Sequence, residues 1–134
     1  MRAGDVLMCR TNGTLAYVGM AALVTEDISG LIFPDKVIRV RPTTETVLPN
    51  FLWTLLKSPF VRMKIEASAR TAVGNYAIGS SDLAALELIV PPLVVQKRLS
   101  ASLAAAREQA VRQWQKADAL RADAWNNFIA AVFV

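Results

Sequence analysis

Histidine occurs nowhere in these 134 residues. Its absence removes the side chain used most often as a general base near neutral pH, and the commonest metal ligand with it. Cysteine occurs once, as Cys9, so no internal disulfide can form, and one thiol without histidine makes no zinc set. A lone cysteine suits a reducing compartment, the cytoplasm. Because it sits in an alternating apolar stretch, Cys9 reads as a small hydrophobe of a strand and not as a reactive thiol. The patterns GxGxxG, GxxxxGK[ST] and GxSxG are all missing, which excludes the usual phosphate cradles and the nucleophile elbow. The adjacent carboxylates Glu26 and Asp27 lie beside a Ser29-Gly30 turn and read as solvated. No uncharged run reaches the roughly 18 residues of a membrane span. The opening MRAGDVLM lacks the apolar core of a signal peptide. The inventory argues for a binding protein with no catalytic residue, no metal and no cofactor of its own.

Glycine and proline number six each, yet neither occurs after Pro92. From Leu93 to Val134 the chain runs 42 residues without a breaker, and 11 of them are alanine. Such a run predicts one helix of about 60 Å. Val95, Leu99, Leu103, Ala106, Ala110, Trp114, Ala117, Leu120, Ala124, Phe128 and Val132 recur along it at steps of three or four. At 100° per residue they fall within an arc of roughly 120°. Lys97, Glu108, Arg112, Lys116, Asp123 and Asn126 hold the opposite face. Steps averaging close to 3.6 imply a nearly straight rod, and alanines within the stripe let a second helix axis approach closely. Arg121 falls inside the stripe and is expected to snorkel or to pair with a carboxylate. A small domain rarely covers so long a stripe, so the stripe is read as an oligomerisation surface.

The first 92 residues have mixed character. GDVLMCR alternates and predicts a strand over residues 5–10. Thr11-Asn12-Gly13 predicts a turn, and LAYVGMAALV a kinked strand or strand pair. LIF and KVIRVRP predict strands on either side of Pro34-Asp35. Pro49 opens a helix, PNFLWTLLKS. Ser58 and Pro59 are the N-cap and first residue of another. RTAVGNYAIGSS reads as a glycine-bearing loop, SDLAAL as a short capped turn and ELIVPP as a closing strand. The fold class is therefore mixed α/β: a small domain on residues 1–92, followed by one long C-terminal helix, residues 93–134.

Charge is informative locally. The formal net charge is +4, and arginine outnumbers lysine ten to five. Between Arg39 and Arg70 six basic residues face only Glu45 and Glu66. Arginine's planar fork suits phosphate and the guanine edge, so this stretch is compatible with a nucleic-acid face.

The order of these pieces resembles a known family. GDVLMCRTNGTLAYVG, DKVIRVRP, PNFLWTLLKSP and SARTAVGNYAIGSSDLAALELIVPPLVVQKRL follow one another as do the elements of the target-recognition domain in type I restriction–modification specificity subunits. The segment PPL..Q (Pro91, Pro92, Leu93, Gln96) leading into a long helix is the most distinctive of them. Two departures stand out. The run begins near the middle of the family's recognition domain, and Val95 replaces the family's usual glutamate. One domain and one helix are present where a whole subunit has two of each, as expected of a half-subunit or an N-terminally truncated chain.

The resemblance implies a non-catalytic subunit that reads one half-site of split double-stranded DNA and positions adenine methyltransferase (modification) subunits. A restriction translocase subunit can join the assembly. S-adenosylmethionine and ATP would belong to those partners. In the family two such long helices pack antiparallel, so the resemblance implies that the C-terminal helix forms an antiparallel coiled coil; a half-subunit would homodimerise through it and read a palindromic split target. Base readout needs paired donors and acceptors on projecting loops. Arg10, Thr11 and Asn12 fill one such loop, and Arg70, Thr71, Asn75 and Tyr76 another. Arg39, Arg41, Arg62 and Lys64 are assigned to phosphate. Asn12 and Asn75 equally suit plain turn geometry. The competing function is a coiled-coil assembly or regulatory fragment that does not bind DNA and associates with intact specificity or modification subunits.

Overall fold

The alternation in GDVLMCR becomes strand β1, Val6–Cys9, with Val6 and Met8 fully buried and Leu7 and Cys9 half-buried. These and the following features come from a computed structural model that describes residues 1–72 and 74–133. Strand β1 is the centre of a three-stranded antiparallel sheet. On one side it pairs with β3, Ala21–Leu23, and on the other with β4, Val37–Val40. Two-residue β2, Thr11–Asn12, belongs to a different sheet, of order β2-β6-β5. In it, β5 is Arg70–Ala72 and β6 is Asn75–Ala77, and all pairings are antiparallel. The peptide of Arg10 is the link between the two. Its N–H donates to the Lys36 carbonyl at 2.7 Å, and its carbonyl accepts the Ile78 N–H at 3.0 Å.

Two helices cover the core. Pro49 occupies the first turn of α1, Pro49–Leu56, where its missing N–H costs nothing. Phe51, Leu52 and Leu56 bury one face of that helix, and the Trp53 indole N–H donates to the Ala21 carbonyl of β3 at 3.0 Å. Helix α2, Pro59–Ser68, starts as the sequence predicts: Ser58 Oγ accepts the Val61 N–H at 3.4 Å, with Pro59 first in the helix. Val61 and Ile65, one turn apart, join Val6, Met8, Val18, Leu52, Leu56 and Ile78 in one cluster. Gly19, two residues before β3, is required where the chain passes close to Ile65 of α2. Its φ is +72°, and a Cβ there would collide with Ile65 Cγ2.

Several local expectations change. Thr11 and Asn12 are paired strand residues, and the expected turn follows from Asn12 through Gly13 to Thr14. Of the kinked strand or strand pair expected over LAYVGMAALV, Ala21–Leu23 is strand β3 and Leu15–Tyr17 is a single 3₁₀ turn. Leu31, Ile32 and Phe33 lie outside any strand and are exposed, because both edges of β1 are already occupied. ELIVPP is irregular as well, since its prolines offer no N–H to a ladder. Within the expected loop RTAVGNYA, residues 70–72 and 75–77 are instead the paired strands β5 and β6, with Gly74 at φ +77° just before β6; Val73 lies outside the described residues. A short helix α3, Ser80–Ala84, follows, and Asp82 Oδ2 accepts the Gly79 N–H at 2.9 Å to cap it.

The C-terminal expectation survives as a single unbroken helix α4, Leu93–Val132, of 40 residues. Residue 134 of the predicted span lies outside the described residues. The chain divides into two units, Met1–Ser100 and Ala101–Val134. The first turns of α4 belong with the first unit because Gln96 anchors them. Its Oε1 accepts the Leu48 N–H at 2.8 Å, and its Nε2 donates to the carbonyls of Thr46 at 2.8 Å and Pro91 at 2.7 Å. Beyond Ser100 every described residue is exposed. Leu103, Trp114, Leu120, Phe128 and Val132 of the stripe are among the exposed large hydrophobics. Arg121 meets Asp118 at 2.9 Å, which is how the charge in the stripe is accommodated.

Candidate nucleic-acid interface

The β2-β6-β5 sheet joins two segments that are some sixty residues apart in sequence. Thr11 pairs with Ala77 and Asn12 with Tyr76; on the other edge, Arg70 pairs with Ala77 and Thr71 with Tyr76. Thr11, Asn12, Arg70, Thr71, Asn75 and Tyr76 thus occupy one small sheet. The pleat sorts them, because directly paired residues share a face and neighbours along a strand alternate. Asn12, Tyr76 and Thr71 share one face, and Tyr76 packs against the core cluster. Thr11, Arg70 and Asn75 share the opposite, outward face.

Their engagements differ. The Arg70 side chain is 81% exposed, and its Nη2 donates to Asp82 Oδ1 at 3.3 Å. Asn75 and Thr71 are exposed. Asn12 Oδ1 accepts the Thr14 N–H at 2.9 Å, an Asx turn of the kind its Asn-Gly sequence suggests. Arg10 is exposed on the strand-to-strand crossover, and its Nη1 lies 3.5 Å from the Asp35 carbonyl oxygen it faces. Arg39, also exposed, places its guanidinium 6.0 Å from the centroid of the Phe33 ring.

Arg41, Arg62 and Lys64 each meet the protein in two or more places. Arg41 grips buried Asp5 in a two-pronged pair, Nε to Oδ1 at 2.6 Å and Nη2 to Oδ2 at 2.8 Å. The Arg2 N–H adds a third bond to Asp5 at 2.9 Å. The Arg41 guanidinium beside Asp5 holds that carboxyl well below the usual carboxylate range, against the opposing effect of burial, and the pairing raises the Arg41 pKa in turn. Arg62 clamps the 3₁₀ turn by donating to the carbonyls of Val18 at 2.7 Å and Ala16 at 3.0 Å, while Glu66 lies 2.9 Å away. Lys64 reaches the Glu87 carbonyl at 3.4 Å and stands over the Phe60 ring at 4.7 Å. Asp27 is not simply solvated, since it accepts the Ala3 N–H at 2.7 Å.

Sequence reasoning missed Asp5 and Asp82, the carboxylates that hold Arg41 and Arg70. Asp5 carries no local signal, because its partner lies 36 positions away. Asp82 does carry one: an acidic residue in the first turn of a short helix is a capping signature. Among the described residues no group of His, Cys, Asp and Glu is placed to hold a metal ion, and no helix is long and apolar enough to cross a membrane.

A mixed α/β unit of two small antiparallel sheets, leading into a long helix, is also the architecture of a solved specificity subunit. The HsdS subunit from Thermoanaerobacter tengcongensis superposes with a TM-score of 0.71 over 95% of this chain and 31% of that one, at 30% sequence identity. Among curated proteins, the type I restriction enzyme EcoKI specificity subunit of Escherichia coli (strain K12) is 30% identical over 100 residues, which is 74% of this chain and 21% of the relative. No protein-family model matches the sequence. The chain is homologous to type I restriction-enzyme specificity subunits over most of its own length, and it spans about a fifth of the curated relative it matches.

Proposed function

We propose that this chain is a DNA-reading module of a type I restriction–modification system, working in the cytoplasm as a non-catalytic specificity component. Its first unit reads one half of a split duplex target. The outward face of the β2-β6-β5 sheet, carrying Arg70, Asn75 and Thr11, reads bases together with Arg10 on the adjoining crossover. Arg39 contributes phosphate contact. Arg41, Arg62 and Lys64, assigned to phosphate from sequence, have a scaffold role on this reading, since each meets the protein in two or more places. The stripe on α4 pairs with a second helix as an antiparallel coiled coil, in a homodimer or with a specificity or modification subunit. Adenine methyltransferase subunits, and a restriction translocase when present, supply S-adenosylmethionine and ATP chemistry.

The observation that carries this reading is the convergence of two distant polar segments on one exposed sheet face, within a chain homologous to specificity subunits. Cationic and amide side chains on one sheet face can offer paired donors and acceptors to base edges. The test is binding to duplex DNA across a salt series, with the chain alone and in complex with modification subunits. Affinity should fall steeply between about 50 and 200 mM salt as counterions are released. Arg10→Ala and Arg70→Ala should weaken sequence preference. Binding that is absent or salt-insensitive in both preparations overturns the reading.

A further inference from the structure

Arg70 does not stand alone on its sheet face. Its Nη2 meets Asp82 Oδ1 at 3.3 Å, while the other oxygen of that carboxylate accepts the Gly79 N–H at 2.9 Å. The Asp82 side chain is only 20% exposed and the Arg70 side chain 81%. One end of the pair is therefore fixed in the protein and the other projects into solvent. Turning the Asp82 carboxylate away from Arg70 would give up its bond from the Gly79 N–H at the start of α3. Arg70 itself starts β5, in register with Ala77 and, through it, with Thr11. Backbone register sets the base of the side chain, and Asp82 sets its tip.

The charge of this pair has a consequence for what Arg70 can bind. An isolated arginine attracts any phosphate through its net charge. An arginine already paired with a carboxylate is locally close to neutral, and a phosphate brought to it also meets the carboxylate. A guanine edge is uncharged and presents the O6 and N7 acceptors to the guanidinium donors that remain. The carboxylate repels one class of acceptor and leaves the other acceptable. It also holds the long side chain in place before binding, which lowers the ordering cost of a two-pronged contact.

We propose that Asp82 is a positioning residue that converts Arg70 from a phosphate anchor into a reader of guanine in duplex DNA. The inference rests on the DNA-reading function proposed above and assigns a base and a supporting residue to it. Asp82→Asn keeps an oxygen to accept the Gly79 N–H and removes the negative charge. Discrimination between guanine and adenine at one target position should fall about tenfold. Affinity for non-target duplex should rise, with a salt dependence steeper by about one phosphate contact. Arg70→Lys keeps a charge and loses the fork, so it should lose the same discrimination without touching the α3 cap.

Selection from a randomised duplex library, followed by affinity measurements on target and non-target duplexes over a salt series, separates the outcomes. The preparation is the full chain with its modification subunits, and thermal melting of each variant is measured alongside. A wild-type complex with no base preference overturns both the DNA-reading function and this role. A wild-type complex with a preference that Asp82→Asn leaves intact overturns the role of Asp82 alone. If Arg70→Ala lowers the salt dependence and keeps the base preference, Arg70 is a phosphate contact and the inference is wrong. Loss of preference in Asp82→Asn and Arg70→Lys, at unchanged melting temperature, supports it, because a merely structural aspartate would not alter the choice of base.

Discussion

Asp5 shows how far one side chain's surroundings can outrun its local sequence. Fully buried at the start of the chain, it receives both prongs of Arg41 and a backbone N–H. Its folded-state pKa is depressed, so it favours folding at every pH above the unfolded carboxylate value of about 3.9. That contribution fades as pH falls through this value toward the lower folded one, where both states are protonated. Urea midpoints should therefore drop on acidification from about pH 6 to pH 3, and the drop should be shallower in Asp5→Asn, which has no proton to gain. An acid limb of equal slope in the two proteins would assign the loss to other carboxylates. From sequence, Arg41 reads as a surface cation in a basic stretch. Nothing within ten residues points to Asp5, because the pair is made by β1 and β4 lying side by side. Asn12 is the reverse case: the Asn-Gly dipeptide announces its turn, and the Asx bond to Thr14 fulfils it.

Among the elements, the helices were the most legible. Proline at the first position and Ser58 at the cap are local signals, acting within one turn, and α1 and α2 begin where those signals stand. Strand assignments over 31–33 and 87–92 failed because a strand exists only if a partner edge is free, and that is a property of the whole sheet. The hairpin β5–β6 was read as a loop for the same reason in reverse: its polar residues pair because β2 lies alongside β6. Gln96 ties the start of helix α4 to the first unit. Gln96 is fully buried and satisfies the N–H of Leu48, just before α1, together with the carbonyls of Thr46 and Pro91. Gln96→Leu would keep much of the volume and leave three backbone groups without this partner. Unfolding in urea should show a loss of about 3 kcal/mol or more; a change within a few tenths would mean that water replaces the amide at no cost. The motif PPL..Q thus has a physical content: its proline carbonyl and its glutamine form one anchor.

At the scale of the molecule, apolar surface on α4 is what calls for a partner. The predicted stripe is present on one continuous helix and exposed throughout the second unit. Toward its end the apolar surface widens beyond the stripe, since Trp125, Ile129 and Phe133 are also exposed and Trp125 meets Phe128 edge-on at 5.8 Å. A helix face of this kind is stable in water when another surface covers it. If that surface is a second copy, the chain should sediment as a dimer at micromolar concentration. The double variant Leu103→Glu, Trp114→Glu should then sediment as a monomer with its first unit still folded, because both residues are exposed beyond Ser100. An unchanged dimer would move the interface off this stripe.

The sequence by itself determined the helices, their starts, the unbroken length of α4 and the poverty of catalytic groups, because these follow from residue types and from contacts within a turn or two. It also carried the family resemblance, through the order of short segments. The tertiary structure alone decided which arginines are held and which project. It brought Thr11 beside Arg70, gave Arg70 the carboxylate of Asp82 and locked Arg41 onto Asp5. Those arrangements arise from strand pairing between distant segments, and pairing register is set by the packing of the whole unit around Val6, Met8 and Ile65.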